Sequence, residues 1–156
     1  MLTTLEGEQL LRSRPMTTIN REFDGTLWFF AKADSASVAA LRTHSKVCLS
    51  YSDSGSAEFV CAAGPSVVIT DVAKKQELWN AGVQAWFPEG ATSPLNVLIA
   101  VTPDHAEYWD SSNSKLVQLF GFAKALITNR QPRDLGEHRV VAMSTEASTS
   151  TQRRPA

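Results

Sequence analysis

The chain has little that would tie it to a membrane, a secretory route or a charged polymer. Its 156 residues include only two cysteines, Cys48 and Cys61, too few for a disulfide scaffold. No apolar run approaches the length of a membrane span. The formal net charge is -1, so no global field draws the protein to nucleic acid or an anionic bilayer. The first eleven residues lack the basic-then-apolar order of a signal peptide. His44, His105 and His138 are scattered without metal-ligand spacing. Neither a Gly-rich phosphate loop nor a nucleophile elbow occurs, and no serine is identifiable as a nucleophile. What remains is one cytoplasmic domain whose chemistry must come from a bound cofactor.

Two stretches carry most of the information. In the first, Arg12, Arg14 and Met16 alternate onto one face of a strand-like segment, with Pro15 marking an edge or bulge. In the second, the Asp24-Gly25 turn signal leads into Leu27, Trp28, Phe29 and Phe30, a run that reads as a deeply buried strand. An arginine fork holds phosphate through paired hydrogen bonds, and an aromatic wall shelters a flat ring. The pair points to a phosphorylated planar ligand. Trp28, Phe29 and Phe30 cannot share one face, so at least one of them packs in the core.

Strand patterns dominate the rest: residues 2–4, 9–19, 26–31, 47–51, 58–62, 65–70, 95–101, 105–109 and 116–128. Short strands between Gly, Asp and Ser turns argue for an antiparallel sheet or barrel. Ser35 is placed to cap a helix running toward His44, and Asp71 to cap a second that holds Trp79 and ends near Gly82. Trp86 and Phe87 enter a turn and are expected to bury against the barrel, a partner or a ligand. With a turn centred on Ser54-Gly55, Cys48 and Cys61 fall directly across from each other, either as a redox pair or as two free thiols in a reducing compartment. Beyond Asn129 the apolar pattern fades, so residues 129–156 read as a disordered tail after a domain of residues 1–128.

Taken in order, Arg14-Pro15-Met16, Phe23-Asp24-Gly25 and Leu27-Trp28-Phe29-Phe30 resemble the general stress protein 26 family. These are pyridoxamine 5'-phosphate oxidase-like, FMN-binding split barrels. Glu77-Leu78-Trp79-Asn80, Ala85-Trp86-Phe87-Pro88 and Glu107-Tyr108-Trp109-Asp110 look like later signatures of the same family, and the likeness spans residues 10–122. It implies a mainly β fold: a six-stranded antiparallel split β-barrel of Greek-key type with a few flanking helices. It also implies a homodimer with FMN at the subunit interface.

By the same resemblance Arg14 contacts the flavin phosphate, with Ser35 and Ser37 near it at the start of the following helix. Pro15, Met16 and the Trp28, Phe29, Phe30, Ala31 strand border the ring, and Trp109 approaches from the partner subunit. The family commonly carries a lysine where this chain has Ser37, so one charge-assisted phosphate bond is replaced by a weaker one. Lys32 and the backbone donors after Ser35 stand close in sequence as compensation. The helix that usually precedes the first barrel strand has no counterpart here. The implied function is a flavin-dependent oxidoreductase without a dedicated protein acid or base. Alternatives are a flavin-binding or flavin-sensing stress protein without turnover, or a dimeric scaffold that has lost its cofactor. Pyridoxamine phosphate oxidation itself fits less well, because Ser111-Ser112-Asn113-Ser114 follows Trp109 and Lys115 is the only nearby cation.

Overall fold

The computed structural model describes residues 1–19, 22–55 and 58–109, together with the backbone of 139–142. Eight strands and three helices follow in order: β1 (Leu2–Glu6), β2 (Leu10–Arg14), β3 (Leu27–Lys32), α1 (Ala36–Thr43), β4 (Lys46–Asp53), β5 (Glu58–Ile69), α2 (Val72–Glu77), α3 (Ala81–Trp86), β6 (Asn96–Val101), β7 (His105–Trp109) and β8 (Arg139–Ala142). Every ladder is antiparallel, in the order β2-β1-β4-β5-β6-β3, with β7 also on β5 and β8 on β7. This is the expected split barrel, with eight strands among the described residues where six were expected.

The split arises in β5. The sequence reads two strands here, broken at Ala63-Gly64, but the structure has one of 12 residues. Its first half pairs with β4 and β7, and its second half with β6. The turn between β6 and β7 crosses β5 at Gly64, where Thr102 N donates to Pro65 O at 3.1 Å and Asp104 N to Ala63 O at 2.9 Å. The Gly-Pro pair that looks like a break is the point at which one strand passes between two sheets.

Alternation sorts the side chains. Leu2, Leu27, Phe29, Ala31, Val38, Leu41, Val47, Leu49, Ala62, Val97, Ile99, Val101 and Ala106 close the interior. At roughly 1.5–3 kcal/mol for each large apolar side chain, this face supplies most of the drive to fold. Tyr51 packs at its margin and hydrogen-bonds Thr18 at 2.9 Å, tying the segment after β2 to β4. Burial pushes the Tyr51 phenol up, with the Thr18 hydroxyl opposing.

A second, smaller core lies on the outer face of β3 and β6. There Phe30, Leu98 and Val83 meet Leu78, Trp79 and Phe87 from the helical segment. Phe30 meets Trp79 edge to face at 5.1 Å and Phe87 at 5.7 Å. The single helix expected after Asp71 is two. Asn80 accepts from Val83 N and caps α3 afresh, so Trp79 sits between helices and Gly82 lies in the first turn of α3. Phe87 is half-buried against this core, whereas Trp86, expected to bury with it, stands 78% exposed on this chain.

Lys75 anchors this layer. It is 1% exposed, and its Nζ donates to Ser93 O at 2.8 Å and Asn96 O at 3.1 Å, bolting α2 to the loop before β6. Lys75→Ala leaves two carbonyls without that donor and a void where the stem lay. The expected loss is about 2–4 kcal/mol, read as a lowered midpoint in urea unfolding.

Within the segment after Asn129, Arg139–Ala142 pairs with β7 as β8. The paired Val140 and Val141 are β-branched and suit a ladder. The expected strand at 116–128, His138, the Ser111 to Lys115 stretch and the rest of 129–156 lie outside the described residues.

Candidate functional site

Arg14 ends β2 on the face it shares with Thr4 and Glu6 of β1, because Arg12 and Arg14 point one way while Leu11 and Ser13 point the other. Arg14 Nη1 donates to Thr4 Oγ1 at 3.0 Å, and Nη2 donates to the Glu6 carboxylate. Arg12 Nε lies 3.4 Å from the second Glu6 oxygen. Two guanidiniums therefore share one carboxylate, a formal excess of one positive charge in a half-buried cluster. An incoming anion can take Arg14 while Arg12 keeps Glu6 company. Sequence reading missed Glu6, which lies between the strands expected over residues 2–4 and 9–19. The hairpin register around Gly7, whose φ is 60°, is what brings Glu6 onto the arginine face.

From Arg14 the chain leaves the ladder. Pro15 is exposed, and Met16 turns inward against the interior cluster that holds Phe29 and Ala31. Ile19 N then donates to Trp28 O at 3.0 Å, so residues 16–19 carry the chain from the arginine pair to the edge of β3.

The β3 side chains divide. Phe29 and Ala31 point into the interior; Trp28 and Phe30 point to the opposite face, beneath the helical segment, with Lys74 Nζ 4.9 Å from the Trp28 ring centroid. Both Phe rings are buried in cores. A ligand at this strand meets its backbone, as the bond from Ile19 to Trp28 O indicates: Trp28 faces away from β6, and in an antiparallel ladder Phe30, two residues on, does the same. The N–H and C=O of Phe30 thus face the open edge of the sheet.

Ser35 follows three residues after β3 and caps α1, accepting from Val38 N at 3.4 Å. Ser37 is buried, and its hydroxyl lies 3.0 Å from that of Ser35. Of the two serines, Ser35 is the one open to a ligand. Lys32, the sequence candidate for compensation, donates to Glu89 at 2.5 Å and lies 5.2 Å from the Phe87 ring centroid. That bond holds the Glu89 carboxyl below its usual range.

Trp109 stands apart from this group. It lies on the outer face of β7, paired in register with Phe59, the two being 40% and 45% exposed. Among the described residues no three His, Cys, Asp or Glu side chains gather to hold a metal, and no helix is long and apolar enough to cross a membrane.

A family model described as pyridoxamine 5'-phosphate oxidase like matches residues 1–133. The chain belongs to that family. Among solved structures, a general stress FMN/FAD binding protein from Xanthomonas citri is 35% identical, with a TM-score of 0.63 over 73% of this chain and 80% of that one. A general stress family protein from Xanthomonas campestris is 33% identical, with a TM-score of 0.63 over 73% of this chain and 79% of its own. A general stress protein 26 from a Jannaschia species is 24% identical; it covers 90% of this chain and 88% of its own at a TM-score of 0.61, and shows the fold alone. No curated protein matches the sequence. Membership of the pyridoxamine 5'-phosphate oxidase-like family agrees with the split barrel and with the order of motifs along the chain.

Proposed function

We propose that this protein binds FMN between two copies of the chain and acts as a flavin-dependent oxidoreductase. The observation that carries the reading is the run of residues 14–19. It begins at a guanidinium with surplus positive charge around it and ends hydrogen-bonded to the β3 edge. A phosphate suits the first end and a polar ring edge suits the second. Arg14 holds the phosphate, helped by the Ser35 hydroxyl. The Phe30 backbone offers one donor and one acceptor to the ring, and Met16 lies on the interior side of the same segment. Ser37, buried against Ser35, contributes by fixing the cap rather than by touching the ligand. Bound FMN supplies hydride and single-electron transfer, chemistry for which the chain itself provides position and electrostatics.

The exposed Trp109 and Phe59 support a second copy, since paired aromatics on a sheet face are costly to leave in water. That copy brings its own Trp109 toward the flavin. The protein is cytoplasmic in this reading, with a small-molecule electron donor or acceptor as its other partner.

The test is anaerobic mixing of the FMN-loaded protein with NADH or NADPH, followed at the flavin absorption band. Bleaching by either nucleotide supports the oxidoreductase. Retained flavin that neither nucleotide bleaches supports the alternative, a flavin-binding stress protein without turnover.

A further inference from the structure

The two cysteines are unused by this reading, and the structure sets them together. The β4–β5 register pairs Ser50 with Cys61 and Cys48 with Ala63, so the thiols are diagonal neighbours rather than directly opposite as the sequence turn implied. They nevertheless touch: Cys48 Sγ and Cys61 Sγ are 3.1 Å apart on the outer face of the sheet. A disulfide bond is about 2.0 Å long, so closure requires the sulfurs to approach by about 1 Å. Both side chains are half-buried, on the face opposite Val47, Leu49 and Ala62.

We propose that Cys48 and Cys61 form a dithiol oxidation site, which a hydroperoxide converts to an intramolecular β4–β5 disulfide. The roles of the two sulfurs differ because their surroundings differ. Cys61 lies in register with Glu107 of β7, on the same face. Burial, the Cys48 sulfur and the Glu107 carboxylate push the Cys61 thiol up to about 11, with Ser50 opposing through a hydrogen bond. With the Glu107 carboxylate in register beside it, Cys61 is the poorer nucleophile, so the attack is assigned to Cys48.

In the first step the Cys48 thiolate attacks one peroxide oxygen. The O–O bond breaks, and the departing hydroxide takes a proton to become water, leaving Cys48 as a sulfenic acid. Cys61 sulfur then attacks the Cys48 sulfur. The S–O bond breaks, and the Cys61 proton leaves with that oxygen as a second water. Two electrons pass from the thiol pair to the peroxide, which is fully reduced. Diagonal neighbours sit farther apart at the backbone than directly opposed ones, so the resulting disulfide is strained and easily reduced. The site is consequently reversible, dithiol at rest and disulfide under peroxide.

The experiment uses the full chain, reduced, desalted and treated with hydrogen peroxide, then alkylated and examined by intact-mass and peptide mass spectrometry. The expected result is loss of two hydrogens and a peptide joining Cys48 to Cys61, both reversed by dithiothreitol. Cys61→Ser is expected to yield a Cys48 sulfenic acid that dimedone traps. Cys48→Ser is expected to form no intramolecular cross-link, and its Cys61, with Glu107 still in register beside it, to be trapped by dimedone more slowly than Cys48 is in Cys61→Ser. An intermolecular disulfide, a sulfinic acid at either position without cross-link, or dimedone trapping at Cys61 as fast as at Cys48 would each overturn the proposal.

Discussion

Arg14→Ala is expected to weaken FMN binding about 10- to 100-fold while leaving riboflavin binding within about twofold. A hydrogen bond to a charged group contributes roughly 1.5–3 kcal/mol, and every 1.4 kcal/mol is tenfold in affinity. Riboflavin lacks the phosphate, so it reports on the ring site alone. The substitution is tolerable to the fold because Glu6 keeps Arg12 as a partner, 3.4 Å away. The opposite change is informative as well. Glu6 occupies the Arg14 fork, so Glu6→Gln removes a competing anion and is expected to tighten FMN binding while leaving riboflavin unchanged. Fluorescence titration of the two flavins against the three proteins reads all of this. Equal losses for FMN and riboflavin in Arg14→Ala would mean that the arginine shapes the barrel and does not grip phosphate.

Gly64→Ala is expected to be the most damaging single methyl in the described structure. A Cβ on Gly64 would lie 2.3 Å from Thr102 O, 2.7 Å from the Pro103 Cα and 2.9 Å from Asp104 N. All three are backbone atoms of the turn that crosses β5, so no side-chain rotation relieves the contact. Overpacking a well-filled interior costs about 1–3 kcal/mol when neighbours can shift. Here the shift must break the bonds from Thr102 N to Pro65 O and from Asp104 N to Ala63 O, so the upper end or more is expected. For a chain of this size the melting temperature should fall by roughly 10 °C. The same crossing aligns β6 with β7, so loss of this turn separates the two sheets that meet in β5. Calorimetry of the variant with an unchanged melting temperature would show that the crossing turn has slack.

The sequence was most legible where one local signal spoke without competition. Val97–Val101 is an unbroken apolar run, and the strand Asn96–Val101 that contains it is buried throughout. Ser35 caps α1 as read, because its hydroxyl has a backbone N–H three residues on to accept from. Legibility failed where the deciding partner is distant in the chain. Gly64-Pro65 looks like a break until the turn at Thr102 to Asp104 is laid across it. Asn80 restarts a helix, so one expected helix became two, and a lone side-chain oxygen made the difference.

The candidate site shows the same division. Arginine alternation was readable, but the Glu6 carboxylate that shares Arg14 follows from hairpin register, which a single strand does not display. Burial of Ser37 depends on α1 packing Val38 and Leu41 onto Leu2, again outside any local motif. The thiol pair was foreseen as neighbours and misregistered by two residues along β5, since the cysteines carry no register information of their own.

The most direct test of the central claim is the visible spectrum of the purified protein after incubation with FMN and desalting. The account predicts a flavin band retained in near-stoichiometric amount with the chain, shifted from that of free FMN by transfer to the β3 edge. A colourless protein after the same treatment would contradict FMN binding and leave the split barrel without the ligand assigned to it.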